Sequence, residues 1–235
     1  VRLFPLGDAA MVLEFGTAID AATHQAIAAF GAYLARHPFL GLREWVPAFT
    51  TLTVYYDLWL VSANGQLPPY EQVAAQLQAM LPAAQAAHPT AEATATIEVP
   101  VCYGGEWGPD LAFVAQHCGM DSAEVIARHS APNYLVHMIG FAPGFPYLGG
   151  LDAQLATPRR PQPRALVPAG AVGIAGPQTG IYSLSTPGGW QLIGRTPLRL
   201  FNPEWAVPSL LQAGQRLRFV PIKEAEFRAL WQHGP

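Results

Sequence analysis

Three arginines set among three prolines, in "TPRRPQPR" at residues 157–164, are the densest group of cationic side chains in the chain. A guanidinium grips a carboxylate or phosphate through paired hydrogen bonds, and rigid neighbours reduce the entropy lost in holding it ready. Arg159, Arg160 and Arg164 therefore read as an anion-binding set. Shortly before them comes "GFAPGFPYLGG" (140–150), made of glycines, prolines and large apolar side chains with no charge. Such a segment suits neither a helix nor a paired central strand, and it reads as a stiff connecting loop. Its backbone N–H groups, freed by glycine, are suited to cradle an anion or a carbonyl oxygen. The segment is either a packed barrel corner, with Phe141, Phe145, Tyr147 and Leu148 plugging an end, or a pocket wall whose apolar side chains anchor the barrel while its backbone, at Gly144, Phe145 and Tyr147, faces ligand or a partner.

A second glycine-rich stretch, "GIAGPQTGIYSLSTPGGW" (173–190), carries Gln178, Thr179, Tyr182, Thr186 and Trp190. Their amide, hydroxyl and indole groups could orient a small polar ligand, with Gly188 and Gly189 giving the backbone room, or they could belong to hairpin turns around an aromatic plug. His129 in "ARHSAPNY" closes a helix before Pro132. As a general base it needs a partner that the sequence does not identify. The histidines show no metal-ligand spacing, so no metal is expected. The sole lysine, Lys223, is outside any Walker-type glycine loop, and neither a dinucleotide fingerprint nor a G-x-S-x-G elbow is present. As an enzyme, the chain reads as half of a site.

These residues must be positioned by two kinds of element. In "AIDAATHQAIAAFGAYLARH", Asp20 caps an expected helix to about His37, with Ile27, Phe30 and Leu34 on one face. Strands are expected at about 9–16 and 50–60, and a second helix in "PPYEQVAAQLQAML" places Val73, Leu77 and Met80 inward. Residues 82–95 lose their large apolar side chains and read as a linker, or as an alanine-rich extension of that helix. The boundary falls near 90, giving domains 1–90 and 91–235. Beyond it come a strand in "TIEVPV", a helix in "PDLAFVAQHC" ended by Gly119, and a helix in "DSAEVIARHS" with the capping box Asp121/Glu124. The strand "YLVHMIGF" follows, then short β-rich runs at 164–176, 179–185, 190–196, 198–201 and 215–221, and a terminal helix. This is the pattern of a barrel or sandwich, making the chain α+β.

Bulk properties narrow the function classes. With 235 residues, 51% of them hydrophobic and 12% charged, the chain can bury a substantial core. A net charge of −3 disfavours nucleic-acid partners. Two cysteines far apart in sequence fit a reducing compartment, and the absence of a membrane-length apolar run or a secretion signal makes a cytoplasmic location the expectation.

The motifs "PVCYGGEWGPDL", "HSAPNYLVHMIGFAPGFPYLGGLD", "TPRRPQPRALVPAGAVGIAGPQTGIYSLSTPGGWQLIGRTP" and "GQRLRFVPI", with "LGDAAMVLEFG" and "GLREWVPAFTTLTVYYD" earlier, resemble the B-subunit family of prokaryotic 5-oxoprolinase. That family also covers proteins called allophanate hydrolase subunit 1 and an inhibitor of a sporulation histidine kinase. The likeness spans nearly the whole chain; Ala171 departs from it, standing where serine is common. It implies a small α/β N-terminal domain followed by a cyclophilin-like β-barrel. It also implies a hetero-oligomer with subunits C and A that hydrolyses 5-oxo-L-proline to L-glutamate with ATP. A lactam is a poor electrophile, and phosphorylating its oxygen creates a leaving group. On that reading His129, Arg159 and Arg160 are catalytic candidates. Gly144, Phe145, Tyr147, Arg164, Gln178, Tyr182, Gly188, Gly189 and Trp190 are the substrate-binding ones. The alternatives are a regulatory module binding a histidine kinase, or a carboxyltransferase-type subunit of urea metabolism served by a biotin carrier on another chain. A prolyl isomerase, which the barrel alone would suggest, has no matching motif here.

Overall fold

The computed structural model describes residues 1–86 and 96–231. It separates into two compact units, residues 1–92 and 93–235. The first holds strands β1 (Arg2–Pro5), β2 (Ala10–Glu14), β3 (Leu42–Pro47) and β4 (Thr51–Tyr56), with helices α1 (Ala21–Arg36), α2 (Leu58–Val61) and α3 (Pro69–Ala86). The sheet order is β1-β2-β4-β3, antiparallel throughout. Met11, Leu13, Leu52 and Val54 on the central strands pack against Ile27, Phe30 and Leu34 of α1 and Val73 and Leu77 of α3.

Two departures from the sequence reading have local causes. The strand expected over 50–60 stops at Tyr56, because Asp57 accepts the N–H groups of Trp59 and Leu60 and starts α2. The edge strands β1 and β3 are additions to the expected elements; facing solvent on much of their surface, they lack a clean alternation of buried and exposed residues. Helix α3 continues through Pro82 to Ala86, so the first part of the expected linker is helical. The expected boundary near 90 lies outside the described residues.

The second unit is a closed barrel. Its strands are β5 (Ile97–Tyr103), β6 (Tyr134–Ile139), β7 (Pro146–Gly149), β9 (Ala171–Ala175), β10 (Gln178–Ile181), β12 (Gln191–Arg195) and β13 (Arg216–Pro221). They run in the order β10-β7-β6-β13-β5-β12-β9, and β9 pairs back onto β10. Only β5 and β13 are parallel neighbours. Closure leaves no strand edge exposed around the ring. A separate two-stranded sheet joins β8 (Arg164–Val167) to β11 (Thr186–Gly188). Helices α4 (Leu111–Cys118), α5 (Ser122–Ser130) and α6 (Glu224–Trp231) complete the unit. Asp121 accepts the Glu124 N–H at the start of α5, and Gly119 ends α4 in the left-handed region, as the sequence indicates.

The glycine-proline stretch 140–150 is partly a correction. Residues 140–145 form the turn of a hairpin, with hydrogen bonds Phe145 N–H to Ala142 O and Gly140 N–H to Phe145 O. Residues 146–149, however, are strand β7, paired on both sides with β6 and β10. Pro146 is tolerated because it is the first residue of the strand. The expected strand at 198–201 reduces to one isolated bridge, Phe201 with Ser209.

Candidate active site

Several of the residues named from sequence converge on one cavity of the barrel unit, about 270 Å³ in volume. It is lined by Phe145, Tyr147, Arg159, Tyr182, Gly188, Gly189 and Trp190, joined by Phe141, Pro163 and Pro187. Phe145 is its hub: its ring stands nearly perpendicular to those of Tyr182 and Trp190, at centroid distances of 5.3 and 5.5 Å, and lies 4.9 Å from Tyr147. Edge-to-face contacts of this kind hold aromatic walls in fixed orientation. Phe141 is 64% exposed and adopts a positive φ of 68°, which carries its ring to the rim over Phe145 and Tyr182.

Glycine is required at the cavity wall. A Cβ on Gly188 would stand 2.3 Å from the Tyr182 hydroxyl, so any side chain there would drive into the ring. Gly144 is not a lining residue. With a φ of +74° it forms the back of the hairpin turn, where a Cβ would meet Phe201 Cβ at 2.8 Å. Its role in the geometry is to let the turn pack closely, which places Phe145 and Tyr147.

The three arginines divide. Arg160 and Arg164 both bind Asp110, whose Oδ1 accepts from them at 3.1 and 2.8 Å. Asp110 is 6% exposed, and its Oδ2 accepts the Leu192 N–H at 2.7 Å. It thus ties the arginine loop to strand β12 in place of capping α4 with its side chain. The Arg160 N–H donates to Gly189 O at 2.7 Å, and Gln191 Nε2 to Pro158 O at 2.9 Å, stapling residues 158–164 along 189–191. Arg159 is the one member of the expected three-arginine anion site without a carboxylate partner, since Arg160 and Arg164 share Asp110, whose single negative charge offsets one of their two positive charges. Arg159 is exposed and lines the cavity. Among the described residues no carboxylate pairs with it.

Burial raises the pKa of the Tyr147 and Tyr182 phenols, opposed in each case by the positive charge of Arg159. At neutral pH both are protonated and can donate. The cavity thus presents aromatic faces, two phenols and one guanidinium.

Besides Gly144, Arg160 and Arg164, two further residues named from sequence, Gln178 and His129, stay outside the lining. Gln178 opens β10 at the β9–β10 hairpin and is not a lining residue. His129 is fully buried. Its Nε2 lies 2.9 Å from Thr179 Oγ1, and its Nδ1 2.8 Å from the Tyr103 hydroxyl. Thr179 donates its own proton to Gly173 O, so it accepts the His129 Nε2–H, and Nδ1 accepts from Tyr103. Burial holds the imidazole neutral, with its pKa lowered to about 3. The geometry makes His129 a polar pin of the barrel interior, stacked on Phe219, with both nitrogens occupied.

Asp110 is the residue that sequence reasoning missed. It lies 50 and 54 positions before its arginine partners, and the only local signal, its place before a helix, points to capping. Among the described residues no group of three or more His, Cys, Asp and Glu is placed to hold a metal ion. No helix among them is long and apolar enough to cross a membrane.

A closed barrel in a chain that also carries a separate α+β unit has counterparts among known proteins. Residues 1–211 match the family described as "Carboxyltransferase domain, subdomain C and D", and the chain belongs to that family. It is 47% identical to the 5-oxoprolinase B subunit of Bacillus subtilis (strain 168), covering 95% of this chain and 94% of that protein. It is 44% identical to the 5-oxoprolinase B subunit of Escherichia coli O157:H7, covering 95% of this chain and 97% of that one. The structure of the K. lactis urea amidolyase superposes with a TM-score of 0.76 over 99% of this chain, but this chain spans 15% of that one. At 19% identity that likeness is one of fold alone.

Proposed function

We propose that this chain is a non-autonomous subunit of a cytoplasmic, ATP-dependent 5-oxoprolinase, acting with subunits C and A to hydrolyse 5-oxo-L-proline to L-glutamate. The observation that carries the reading is the 47% identity, along 95% of the chain, to the Bacillus subtilis 5-oxoprolinase B subunit. The cavity is chemically suited to such a substrate. 5-Oxoproline is a flat five-membered lactam bearing one carboxylate. Its ring lies against the aromatic wall that Phe145, Tyr147, Tyr182 and Trp190 form, and its carboxylate pairs with Arg159. Tyr147 or Tyr182, protonated at neutral pH, donates to the lactam oxygen, where charge develops when the carbonyl is activated.

The same cavity does not suit the nucleotide. One unpaired guanidinium falls short of the several cations that a triphosphate requires, and Arg160 and Arg164 are committed to Asp110. ATP is therefore assigned to the assembled complex and not to this cavity. Cys102 and Cys118 are free thiols, as suits a reducing compartment.

The experiment is ATP-dependent glutamate release from 5-oxoproline by the three subunits together, repeated with this chain omitted. Loss of activity on omission supports the assignment. A complex that demonstrably assembles yet releases no glutamate rejects it, and carboxyl transfer, the chemistry named in the family's description, is then tested on the same preparation.

A further inference from the structure

A second cavity, of about 350 Å³, lies in the barrel unit and shares no lining residue with the first. The two part along the chain at Tyr182, which lines the aromatic cavity, while Ser183, Leu184 and Ser185 line the second. Two arginines, Arg195 and Arg199, face the second cavity. Arg195 ends β12; its Nε donates to Ala169 O at 2.8 Å, and its guanidinium carbon lies 4.4 Å from the centre of the Trp231 ring. It is half-buried, and burial works against its charge.

The other half-buried arginines of the described residues all have carboxylate partners: Arg128 binds Glu124 and Asp152, while Arg160 and Arg164 bind Asp110. Arg195 has none among the described residues, and neither does Arg199. Arg195, the partly buried one, has only the faces of Trp231 and Trp107 against its charge, and Arg199 on the same cavity is exposed; a second cation on that wall makes an anion between them favourable. A hydrogen-bond donor is also available. Ser185 Oγ accepts the Ala169 N–H at 3.2 Å, and its own proton goes to no group among the described residues. Leu198, Phe201 and Trp231 add apolar wall, and the volume is that of a small-molecule site.

We propose that this cavity is a second binding site, for a small organic anion whose carboxylate or phosphate is held by Arg195, Arg199 and the Ser185 hydroxyl while its apolar part lies against Phe201 and Trp231. The site does not depend on the oxoprolinase reading. Stacking on Trp231 also helps to seat α6, so Arg195 has a structural role, and the test uses changes that separate the two.

Calorimetric titration of the full chain with phenyl phosphate, benzoate and inorganic phosphate tests the site. In the Arg159→Ala chain, whose aromatic cavity has lost its cation, saturable one-to-one binding of at least one ring-bearing anion is expected. Arg199→Ala, an exposed change, weakens it at least tenfold, and so does Arg195→Lys, which keeps the charge but loses the planar fork. Arg159→Ala, in the other cavity, leaves it unchanged. Tighter phenyl phosphate identifies a phosphorylated ligand, and tighter benzoate a carboxylate. Absence of saturable binding overturns the proposal, as does binding that survives Arg199→Ala but is lost in Arg159→Ala. Equal affinity for inorganic phosphate and phenyl phosphate reduces the site to an adventitious ion and rejects the organic ligand.

Discussion

Arg159 and Asp110 are oppositely charged residues with different fates. Arg159 stands free at the aromatic cavity, so Arg159→Ala is expected to lower turnover of 5-oxoproline by the assembled complex at least tenfold, mainly through KM. Its melting temperature should stay within about a degree of wild type, because an exposed arginine without a partner contributes little to stability. Steady-state kinetics with differential scanning calorimetry reads both. Asp110→Ala acts the other way. It leaves Arg160 and Arg164 partly buried with no counter-charge and removes the acceptor for the Leu192 N–H. A fully buried pair broken in this way costs about 3–5 kcal/mol, and the partial exposure of both arginines lowers the expectation to on the order of 2–4 kcal/mol. Urea denaturation measures it. His129 gives a pH signature. The unfolded imidazole takes up a proton near pH 6.5, whereas the folded one resists until about pH 3. Its contribution is complete above the unfolded pKa and is lost progressively as pH falls through that window. The stability difference between wild type and His129→Gln should therefore shrink from pH 7 to pH 4.5.

At the scale of elements, the hairpin turn between β6 and β7 and the arginine loop beside residues 189–191 set the shape of the cavity. Gly144→Ala places a Cβ against Phe201 in a left-handed backbone, and is expected to cost about 1–3 kcal/mol. Gly188→Ala intrudes on Tyr182, and its main effect should be on oxoproline turnover, with a smaller change in melting temperature. Comparing the two variants in one assay separates support of the turn from shape of the wall. The capped helices α1 and α5 are legible in the sequence because Asp20 and Asp121 act on N–H groups three residues away. Strand β7 is not, because its four residues begin at a proline and end at a glycine, and what makes them strand is pairing with partners on both sides.

For the whole molecule, the closed barrel joins segments spread over residues 97–221 into one ring, so the cavity and the barrel are expected to be lost together. Loss of the aromatic circular-dichroism signal of Phe145, Tyr182 and Trp190 should coincide with loss of far-ultraviolet signal from the barrel unit during denaturation. An earlier aromatic transition would show that the cavity wall melts on its own. The family match covers both units, which is why partner subunits are sought for the whole chain and not for the barrel alone.

The capped helices α1 and α5, the β-rich second half and the family can be read along the chain, whereas the aromatic and glycine residues of the cavity stand out there only as residue types, equally suited to hairpin turns around an aromatic plug. Those signals are local, carried by side-chain periodicity, by a cap three residues from its target, or by long contiguous motifs. Folding in three dimensions is what sets Asp110 against Arg160 and Arg164 and leaves Arg159 free. It likewise places His129 in the barrel interior and brings Ser185 and Trp231 onto one cavity with Arg195 and Arg199. In each case the deciding contact comes from a segment brought close only when the chain folds back on itself, and a one-dimensional pattern carries no distance between such segments.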